Sequence, residues 1–470
     1  MPQVADFFEA LTAQRPSLGQ EWVSKAVHDS RLAEKDSLFV ALKGDRVDGH
    51  NYVAQAFRNG ARVALVQRDL GSDYNTIDLT LNEQLSEDNH HYPLCIRCEN
   101  SLQALQDTAR FWRRQLNLRV VGITGSVGKT TTKELIYEVL HKGYNTVKSE
   151  GNYNNEIGLP LTMIGLDRSH QYAVLEMGFY VPGEIAFLAD LAQPQIGVLT
   201  TIGLVHAERA GSQEAIFEGK SELVQALPEN GVAILNRDDP LVTKMAERTA
   251  AKVIFYGVHD AADLRASQIE GLGLQGVRFR MHYRSEDLDI QVPMVGKHSV
   301  YTALRATAVG LAAGMDWPQI IEGLQMGIHE IRLATARAEN GATLLDDTYN
   351  ASPDSTLAAL NLLEEIPGRH IAVLGDMLEL GPYEEQGHRM VGSRAAEIAQ
   401  ILVTVGERAK IIAASAAEAG LLKENIFVYA NAEQALNYLR ENMTSEDVVL
   451  VKGSRAMKME EIVPQLEAKP

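Results

Sequence analysis

A glycine-rich stretch at residues 120–140 constrains the fold and function of this chain more than any other feature. It reads VVGITGSVGKTTTKELIYEVL. The apolar residues at its start predict a short buried strand, and Gly125 and Gly128 predict a tight turn after it. Apolar residues then recur at helical spacing up to Gly143, where we expect the helix to stop. The stretch therefore predicts a strand, a glycine loop and a helix in succession.

Such a loop favours an anion, because the free N–H groups and the positive end of the helix dipole face the same point. Lys129 adds a point charge, and Thr130 offers a hydroxyl to magnesium. A plain turn between a strand and a helix is the less favoured alternative. The residues of the predicted nucleotide-phosphate site are Thr124, Gly125, Ser126, Val127, Gly128, Lys129 and Thr130.

The length and charge of the chain limit the classes of protein to which it can belong. At 470 residues it is too long for one hydrophobic core and suggests roughly three domains. The formal net charge of −18 argues against binding to nucleic acid or to anionic membranes. No apolar run approaches the ~20 residues that span a bilayer, and no signal-peptide pattern is present. We therefore expect a cytoplasmic protein without membrane insertion.

The order of the predicted elements indicates an α/β protein of three domains, at residues 1–100, 101–327 and 328–470. In the second domain, alternating strands and helices predict a largely parallel sheet. Residues 277–281 and 288–292 alternate apolar and polar side chains instead, which predicts an antiparallel excursion with one solvated face.

The third domain repeats the alternation of strands and helices. Gly375, Gly406 and Gly453 each follow a predicted strand, at the carboxyl end where open α/β sheets bind ligands. The layout resembles a dinucleotide-binding fold, but the domain contains no GxGxxG sequence. We therefore do not expect a nicotinamide cofactor.

Only two cysteines, Cys95 and Cys98, occur in the chain. A zinc site would need two more ligands, for which His90 and His91 are near in sequence. A redox pair normally opens a helix after a strand, whereas these cysteines lie within a predicted strand at 92–98. Two reduced thiols in a strand are therefore the favoured interpretation.

Several polar residues near the loop are candidates for chemistry. Glu176 ends a predicted buried strand, where a carboxylate is typical of a magnesium ligand; a capping or ion-paired surface glutamate is the alternative. His206 and Lys220 mean little in isolation. Asn236 and Asp239 could face a base and a ribose, although Asp-Asp-Pro is also a good helix start.

Taken together, several separated sequences resemble one family, the Mur ligases of peptidoglycan synthesis. The resemblance covers nearly the whole chain in the right order. The sequences that carry it are DSR (29–31), DGH (48–50), GITGSVGKTTT (122–132), GNYNNEIGLPLT (151–162), DDTYNASPD (346–354), GDMLELG (375–381) and KGSRAMKME (452–460). Within the family, the Asn-rich loop at 151–158 is similar to the loop found in the ligases that add D-alanyl-D-alanine.

The resemblance implies an ATP-dependent, ADP-forming amide ligase with three domains. A small N-terminal domain would hold the uridine nucleotide of UDP-N-acetylmuramoyl-tripeptide, a central P-loop domain would hold ATP with two Mg²⁺ ions, and a C-terminal Rossmann-like domain would complete the site. The tripeptide carboxylate would be phosphorylated, and the amine of D-Ala-D-Ala would attack the acyl phosphate. A monomer is expected.

The resemblance also implies roles for individual residues. Lys129, Glu176, His206, Lys220 and Arg332 would be catalytic, and Thr130, Glu176, His206 and Lys220 would hold the metals, with Lys220 carbamylated. Nucleotide contacts outside the loop would come from Asn236, Asp239, Asp347, Tyr349 and Asn350. Substrate contacts would come from Ser30, Arg31, Asn152, Asn154 and Asn155.

The chain departs from the family pattern at three positions. Ser299 and Thr302 stand where the family usually has the asparagines of His-Asn-x-x-Asn, and Ile331 stands where a glycine is common. Two alternatives remain open. One is another Mur-type or folylpolyglutamate-type ligase, which the Asn-rich loop disfavours. The other is a nucleotide-binding protein without ligase activity, which the combination of Glu176, His206 and Lys220 disfavours.

Overall fold

The computed structural model describes residues 1–17, 19–81, 91–204, 207–326 and 334–468. Within these residues the strands form three sheets of five, nine and six strands. Each sheet lies in one of the three predicted domains, so the predicted α/β architecture is confirmed.

The first sheet is parallel throughout, with the strand order β1-β2-β3-β5-β4. Its domain contains α1 (Val4–Thr12), β1 (Ala26–Val27), β2 (Leu38–Val40), α2 (Val53–Arg58), β3 (Val63–Val66), β4 (Asn75–Asp78) and β5 (Leu94–Arg97). The edge strand β4 was not predicted, because its sequence NTID has a single strongly apolar residue.

The second domain contains the largest sheet and most of the helices. Its elements are α3 (Ser101–Arg114), β6 (Arg119–Thr124), α4 (Lys129–His141), β7 (Thr146–Lys148), α5 (Gly158–Ile164), β8 (Tyr172–Glu176), α6 (Glu184–Ala192), β9 (Ile196–Leu199), α7 (Ala207–Ala210), α8 (Gln213–Gln225), β10 (Val232–Asn236), α9 (Pro240–Lys244), β11 (Lys252–Gly257), β12 (Leu264–Gly271), β13 (Val277–Tyr283), β14 (Glu286–Val292), α10 (Ser299–Ala313) and α11 (Trp317–Gln325).

The order of this sheet is β14-β13-β12-β11-β10-β9-β6-β8-β7, so strand β6, which leads into the predicted phosphate loop, is the third strand from the β7 edge. Strand β6 pairs in parallel with both β8 and β9. The carboxyl ends of β6, β8 and β10 therefore lie on one edge, which brings Thr124, Glu176 and Asn236 to the same side. At the far end, β13 and β14 pair antiparallel, as predicted, and β12 also pairs antiparallel with β13.

The third sheet has the order β15-β16-β20-β17-β18-β19, and only the β15–β16 pairing is antiparallel among the described strands. Gly375, Gly406 and Gly453 lie at strand carboxyl ends, as predicted. The elements are β15 (Ala334–Arg337), β16 (Thr343–Asp347), α12 (Pro353–Glu365), β17 (Arg369–Gly375), α13 (Glu384–Ile398), β18 (Ile401–Val405), α14 (Ala409–Glu418), β19 (Ile426–Tyr429), α15 (Ala432–Asn442) and β20 (Asp447–Lys452).

The two cysteines are buried free thiols in and just after β5, as predicted. Burial raises the pKa of Cys95 to about 12 and that of Cys98 to about 11, so both thiols stay protonated at neutral pH. His90, considered as a zinc ligand, lies outside the described residues. No helix in the described part of the chain has the length and apolar character needed to cross a membrane.

Candidate active site

The phosphate loop joins β6 to α4 with a backbone that requires glycine. Gly125 has a φ of +145° and Gly128 a φ of +84°. A Cβ atom on Gly125 would lie 1.8 Å from Oγ1 of Thr200, so the loop packs tightly against the residue after β9. Lys129 Nζ donates to the carbonyl oxygen of Gly125 at 2.8 Å, and the lysine therefore bends back over its own loop. The strand, the glycine turn and the helix follow one another as predicted, and the use of this loop as a phosphate cradle stays a prediction.

Glu176 faces the loop from the end of β8 and is 1% exposed. Its Oε2 accepts a hydrogen bond from Thr130 Oγ1 at 2.7 Å, and its Oε1 accepts one from Asn154 Nδ2 at 2.9 Å. A hydroxyl and a carboxylate thus converge beside the predicted phosphate position. Both are hard oxygen donors of the kind that Mg²⁺ prefers, so these residues fit the predicted metal.

Helix α8 places Lys220 behind the loop, where the side chain is 1% exposed. Its Nζ donates to the same Gly125 carbonyl at 3.0 Å and lies 4.8 Å from the ring centroid of Phe179. Burial, and to a lesser extent the charge of Lys129, lower the pKa of Lys220 well below its usual range. Lys220 is therefore not a solvated surface lysine.

A cavity of about 840 Å³ opens beside the loop, lined by residues of the second and third domains. The third domain contributes Asp347, Tyr349 and Asn350 to the lining, and their contacts with a nucleotide stay predictions. Lys452, which is 2% exposed, donates to Asp347 Oδ2 at 2.6 Å and to the carbonyl of Asn350 at 2.8 Å. The ion pair fixes this wall of the cavity, and Lys452 had no predicted role.

Asn236 and Asp239 line the same cavity, but their polar atoms already have partners in the protein. Asn236 Nδ2 donates to the Thr200 carbonyl at 3.3 Å. Asp239 caps α9 by accepting from the N–H groups of Leu241 and Val242, and its second oxygen accepts from Ile202 N at 2.8 Å. The helix-start interpretation of Asp239 is therefore confirmed, while its contact with a ribose stays a prediction.

The Asn-rich loop is the point at which all three domains meet. Asn152 donates a hydrogen bond to the hydroxyl of Tyr349 in the third domain. The ring of Tyr153 lies 6.2 Å, centroid to centroid, from His28 in the first domain. Asn155 Oδ1 accepts from the N–H of Gly158, the first residue of α5, at 2.9 Å. The loop therefore couples the domains, and Asn155 has a structural role.

The remaining predicted residues are less well placed by the structure. Ser30 is buried and donates to Gln55 Oε1 at 3.1 Å, while the exposed Arg31 pairs with Asp29 at 2.6 Å. Their contacts with substrate stay predictions. His206 and Arg332 lie outside the described residues. Within the described residues, no three His, Cys, Asp or Glu side chains converge on one metal position.

Three family models match the chain in succession. The model "Mur ligase family, catalytic domain" matches residues 26–113, "Mur ligase middle domain" matches 123–310, and "Mur ligase, glutamate ligase domain" matches 331–455. The chain belongs to the Mur ligase family.

Relatives of this Mur ligase extend over nearly its full length. It is 35% identical to the UDP-N-acetylmuramoyl-tripeptide–D-alanyl-D-alanine ligase of Bacillus subtilis, over 98% of this chain and 96% of the relative. The ligase of the same name from Escherichia coli is 32% identical over 93% of this chain and 92% of the relative.

Solved structures agree with this assignment. The crystal structure of MurF from Acinetobacter baumannii superposes with a TM-score of 0.84 at 30% identity, over 99% of both chains. MurF ligase from Thermotoga maritima, solved in complex with ADP, gives a TM-score of 0.77 at 27% identity, over 94% of this chain and 97% of that one. A folylpolyglutamate synthase from Mycobacterium tuberculosis shares only the fold, at 16% identity and a TM-score of 0.62.

Sequence reasoning about this Mur ligase missed Arg305, which lines the cavity beside the loop. Arg305 is 4% exposed on α10, and its guanidinium reaches Thr132 on α4. One sequence feature could have indicated it: Arg305 is the single charged residue in the run TALRATAV at 302–309, on a helix that packs against the core.

Proposed function

We propose that this Mur ligase joins D-alanyl-D-alanine to UDP-N-acetylmuramoyl-tripeptide in a reaction that converts ATP to ADP and phosphate. One observation carries the proposal: the Asn-rich loop links Glu176, beside the phosphate loop, to Tyr349 of the third domain. Full-length similarity to ligases that bear this name supports the same substrates. The domain limits 1–100, 101–327 and 328–470, a cytoplasmic location and a monomeric state are parts of the proposal.

The phosphate loop and the cavity walls would hold ATP. Lys129 would reach the β- and γ-phosphates, and Asn236 and Asp239 would lie on the side of the base and ribose. Asp347, Tyr349 and Asn350 would close the cavity from the third domain, together with Arg332.

Thr130 and Glu176 would hold one Mg²⁺, and Glu176, His206 and Lys220 a second. Bound magnesium would neutralise phosphate charge during phosphoryl transfer. A lysine suits a metal site only as a carbamate, in which a bond from Nζ to CO₂ replaces an N–H and releases one proton. Its burial, at 1% exposed, and its depressed pKa favour the neutral amine that this reaction needs.

The chemistry consists of two displacements. First, an oxygen of the tripeptide carboxylate attacks the γ-phosphorus, and ADP leaves. The amine nitrogen of D-Ala-D-Ala then attacks the acyl carbon, phosphate leaves, and the nitrogen loses a proton. The protein contributes mainly by positioning the reactants and neutralising charge.

The test is phosphate release coupled to mass spectrometry of the nucleotide product. With ATP, UDP-N-acetylmuramoyl-tripeptide and D-Ala-D-Ala together, we expect a UDP-linked pentapeptide and one phosphate per product. Omitting any one of the three should abolish it. Equal turnover with D-Ala or D-Glu in place of the dipeptide would favour another amide ligase, and nucleotide binding without turnover would favour the non-catalytic alternative.

A further inference from the structure

We infer that Arg305 is a nucleotide-binding residue of this Mur ligase, whose guanidinium binds a phosphate oxygen of the ATP or ADP in the cavity. The inference rests on the proposed ATP-dependent function. It adds a second cation to Lys129 at the phosphate site, from helix α10 rather than from the loop.

The position of Arg305 is the first argument. It lines the cavity that contains the phosphate loop. A Cβ atom on Gly128, the residue in the left-handed conformation just before α4, would lie 3.4 Å from Nη2 of Arg305. The guanidinium is therefore in contact range of the backbone that forms the cradle. A cation at this distance acts on the same anion as the helix N-terminus.

The hydrogen bonds of Arg305 are the second argument. Nε donates to Thr132 Oγ1 at 2.8 Å, Nη2 to Thr302 Oγ1 at 2.8 Å, and Nη1 to the Tyr256 hydroxyl at 3.3 Å. All of these partners, among the described residues, are neutral hydroxyls. They use three of the five N–H donors and hold the guanidinium plane in place. The other two donors are available to a ligand.

The charge balance is the third argument. A buried arginine is costly unless an anion or a set of carbonyl dipoles offsets the desolvation of the cation, and three hydroxyl oxygens do so only in part. No carboxylate of the described residues lies within ion-pair distance of Arg305. Arginine is well suited to bind phosphate through two parallel N–H groups. A nucleotide phosphate would supply the missing negative charge.

A second buried arginine shows what a purely structural role looks like in this chain. Arg113 is also 4% exposed, but its guanidinium donates to backbone carbonyls, as in the 2.7 Å bond from Nε to Ala192. Its other acceptors are the carbonyls of Leu116, Leu118 and Gln193. Arg113 does not line the cavity.

Thr302 connects this inference with a departure from the family pattern. It stands where the pattern predicts an asparagine, and its hydroxyl accepts the Nη2 hydrogen bond of Arg305. Threonine at 302 and arginine at 305 thus form one hydrogen-bonded cluster, and the departure is part of the nucleotide site of this chain.

The test measures nucleotide affinity in the full chain by displacement of a fluorescent ADP analogue, with unlabelled ADP and inorganic pyrophosphate as competitors. Arg305→Met should weaken the binding of ADP and of pyrophosphate by about 10- to 100-fold each, the scale of a lost hydrogen bond to a charged group. Arg305→Lys should recover part of the affinity, because lysine keeps the positive charge but lacks the two parallel N–H groups of the guanidinium. Arg113→Met is the matched control and should leave ADP affinity unchanged.

Several outcomes would overturn the inference. One is ADP affinity of Arg305→Met within twofold of wild type. Another is weaker ADP binding with unchanged pyrophosphate binding, which would place the contact on the nucleoside. If thermal melting shows that Arg305→Met does not fold, the ADP affinity of Arg305→Lys is measured instead. An affinity equal to that of wild type would refute the inference. Failure of the wild-type chain to bind ADP would refute the proposed function as well.

Discussion

Asn154 Nδ2 and Glu176 Oε1 are 2.9 Å apart, and this hydrogen bond ties the Asn-rich loop to the carboxylate beside the phosphate loop. The opposite oxygen of Glu176 accepts from Thr130. The carboxylate is therefore held by two hydrogen bonds. One comes from Thr130, next to the phosphate loop, and the other from Asn154, in the loop that contacts the other domains. Movement of the loop would be transmitted directly to the proposed metal ligand.

Glu176→Gln should lower kcat by about 10²–10³, because the amide keeps the size of the side chain but removes the negative charge that holds magnesium. Asn154→Ala should lower kcat by only about tenfold, since it loses one orienting hydrogen bond. Steady-state phosphate release measures both. The exposed Glu229→Gln is the matched control and should be fully active. Activity of Glu176→Gln within a few-fold of wild type would remove Glu176 from the proposed site.

Most of the fold follows from local patterns in the sequence. Buried strands such as β6 and β8 are largely apolar runs. In the phosphate loop, Gly125 is required because a Cβ atom there would clash with Thr200. The loop and the position of Glu176 at the end of β8 could therefore be predicted, whereas Lys220 was selected only through the family resemblance. Contacts made by packing could not: Arg305 meets Thr132 across a separation of 173 residues, and no local pattern encodes that distance.

Polar residues with two possible uses were also hard to assign from sequence. Asp239 and Asn155 have the residue types expected of ligand contacts. In the structure, however, Asp239 caps α9, and Asn155 Oδ1 accepts from the first N–H group of α5. A helix cap and a ligand contact use the same short polar side chains. Only the positions of the neighbouring N–H groups distinguish the two roles.

Lys220→Ala should be nearly inactive, because it removes the proposed carbamate ligand. Added acetate or formate should restore part of the activity by occupying the vacated position. Lys133→Ala is the matched control: Lys133 is also fully buried, but its ammonium donates to the Ser149 carbonyl at 2.8 Å and pairs with Glu134 at 3.0 Å. Carboxylates should not rescue that variant. Normal ligation by Lys220→Ala would show that this lysine is not part of a metal site.

Tyr349→Phe should reduce kcat/KM by about 2- to 10-fold, because the hydroxyl accepts the hydrogen bond by which Asn152 joins the second and third domains. ADP affinity should be unchanged, since the phenyl ring remains in the cavity wall. Steady-state kinetics and ADP displacement separate the two effects. Tyr429→Phe, on the far edge strand β19, is the control and should behave as wild type. If Tyr349→Phe loses ADP affinity instead, the hydroxyl acts on the nucleotide and not on the domain contact.

Asp447→Asn should lower the stability of the third domain by about 1–3 kcal/mol at pH 7, the range for a lost hydrogen bond to a charged group. Asp447 is 1% exposed at the start of β20, and its carboxylate accepts from Arg369 Nε at 2.5 Å and Nη2 at 2.8 Å. Burial alone would raise the pKa of Asp447. The hydrogen bonds from Arg369 and Thr444 outweigh burial and hold the pKa below its ordinary value of 3.8.

The sign of the pH dependence follows from this depressed pKa. The stabilisation is fully present above about pH 4, where the unfolded chain is also ionised, and is lost as pH falls through the lower folded-state pKa. Thermal melting should therefore give the same difference between wild type and Asp447→Asn at pH 7 and pH 5, and a smaller one below about pH 3.8. The exposed Glu424→Gln in the same domain should show no difference at any pH. A gap that widens as the pH falls would mean that Asp447 is not held ionised by Arg369.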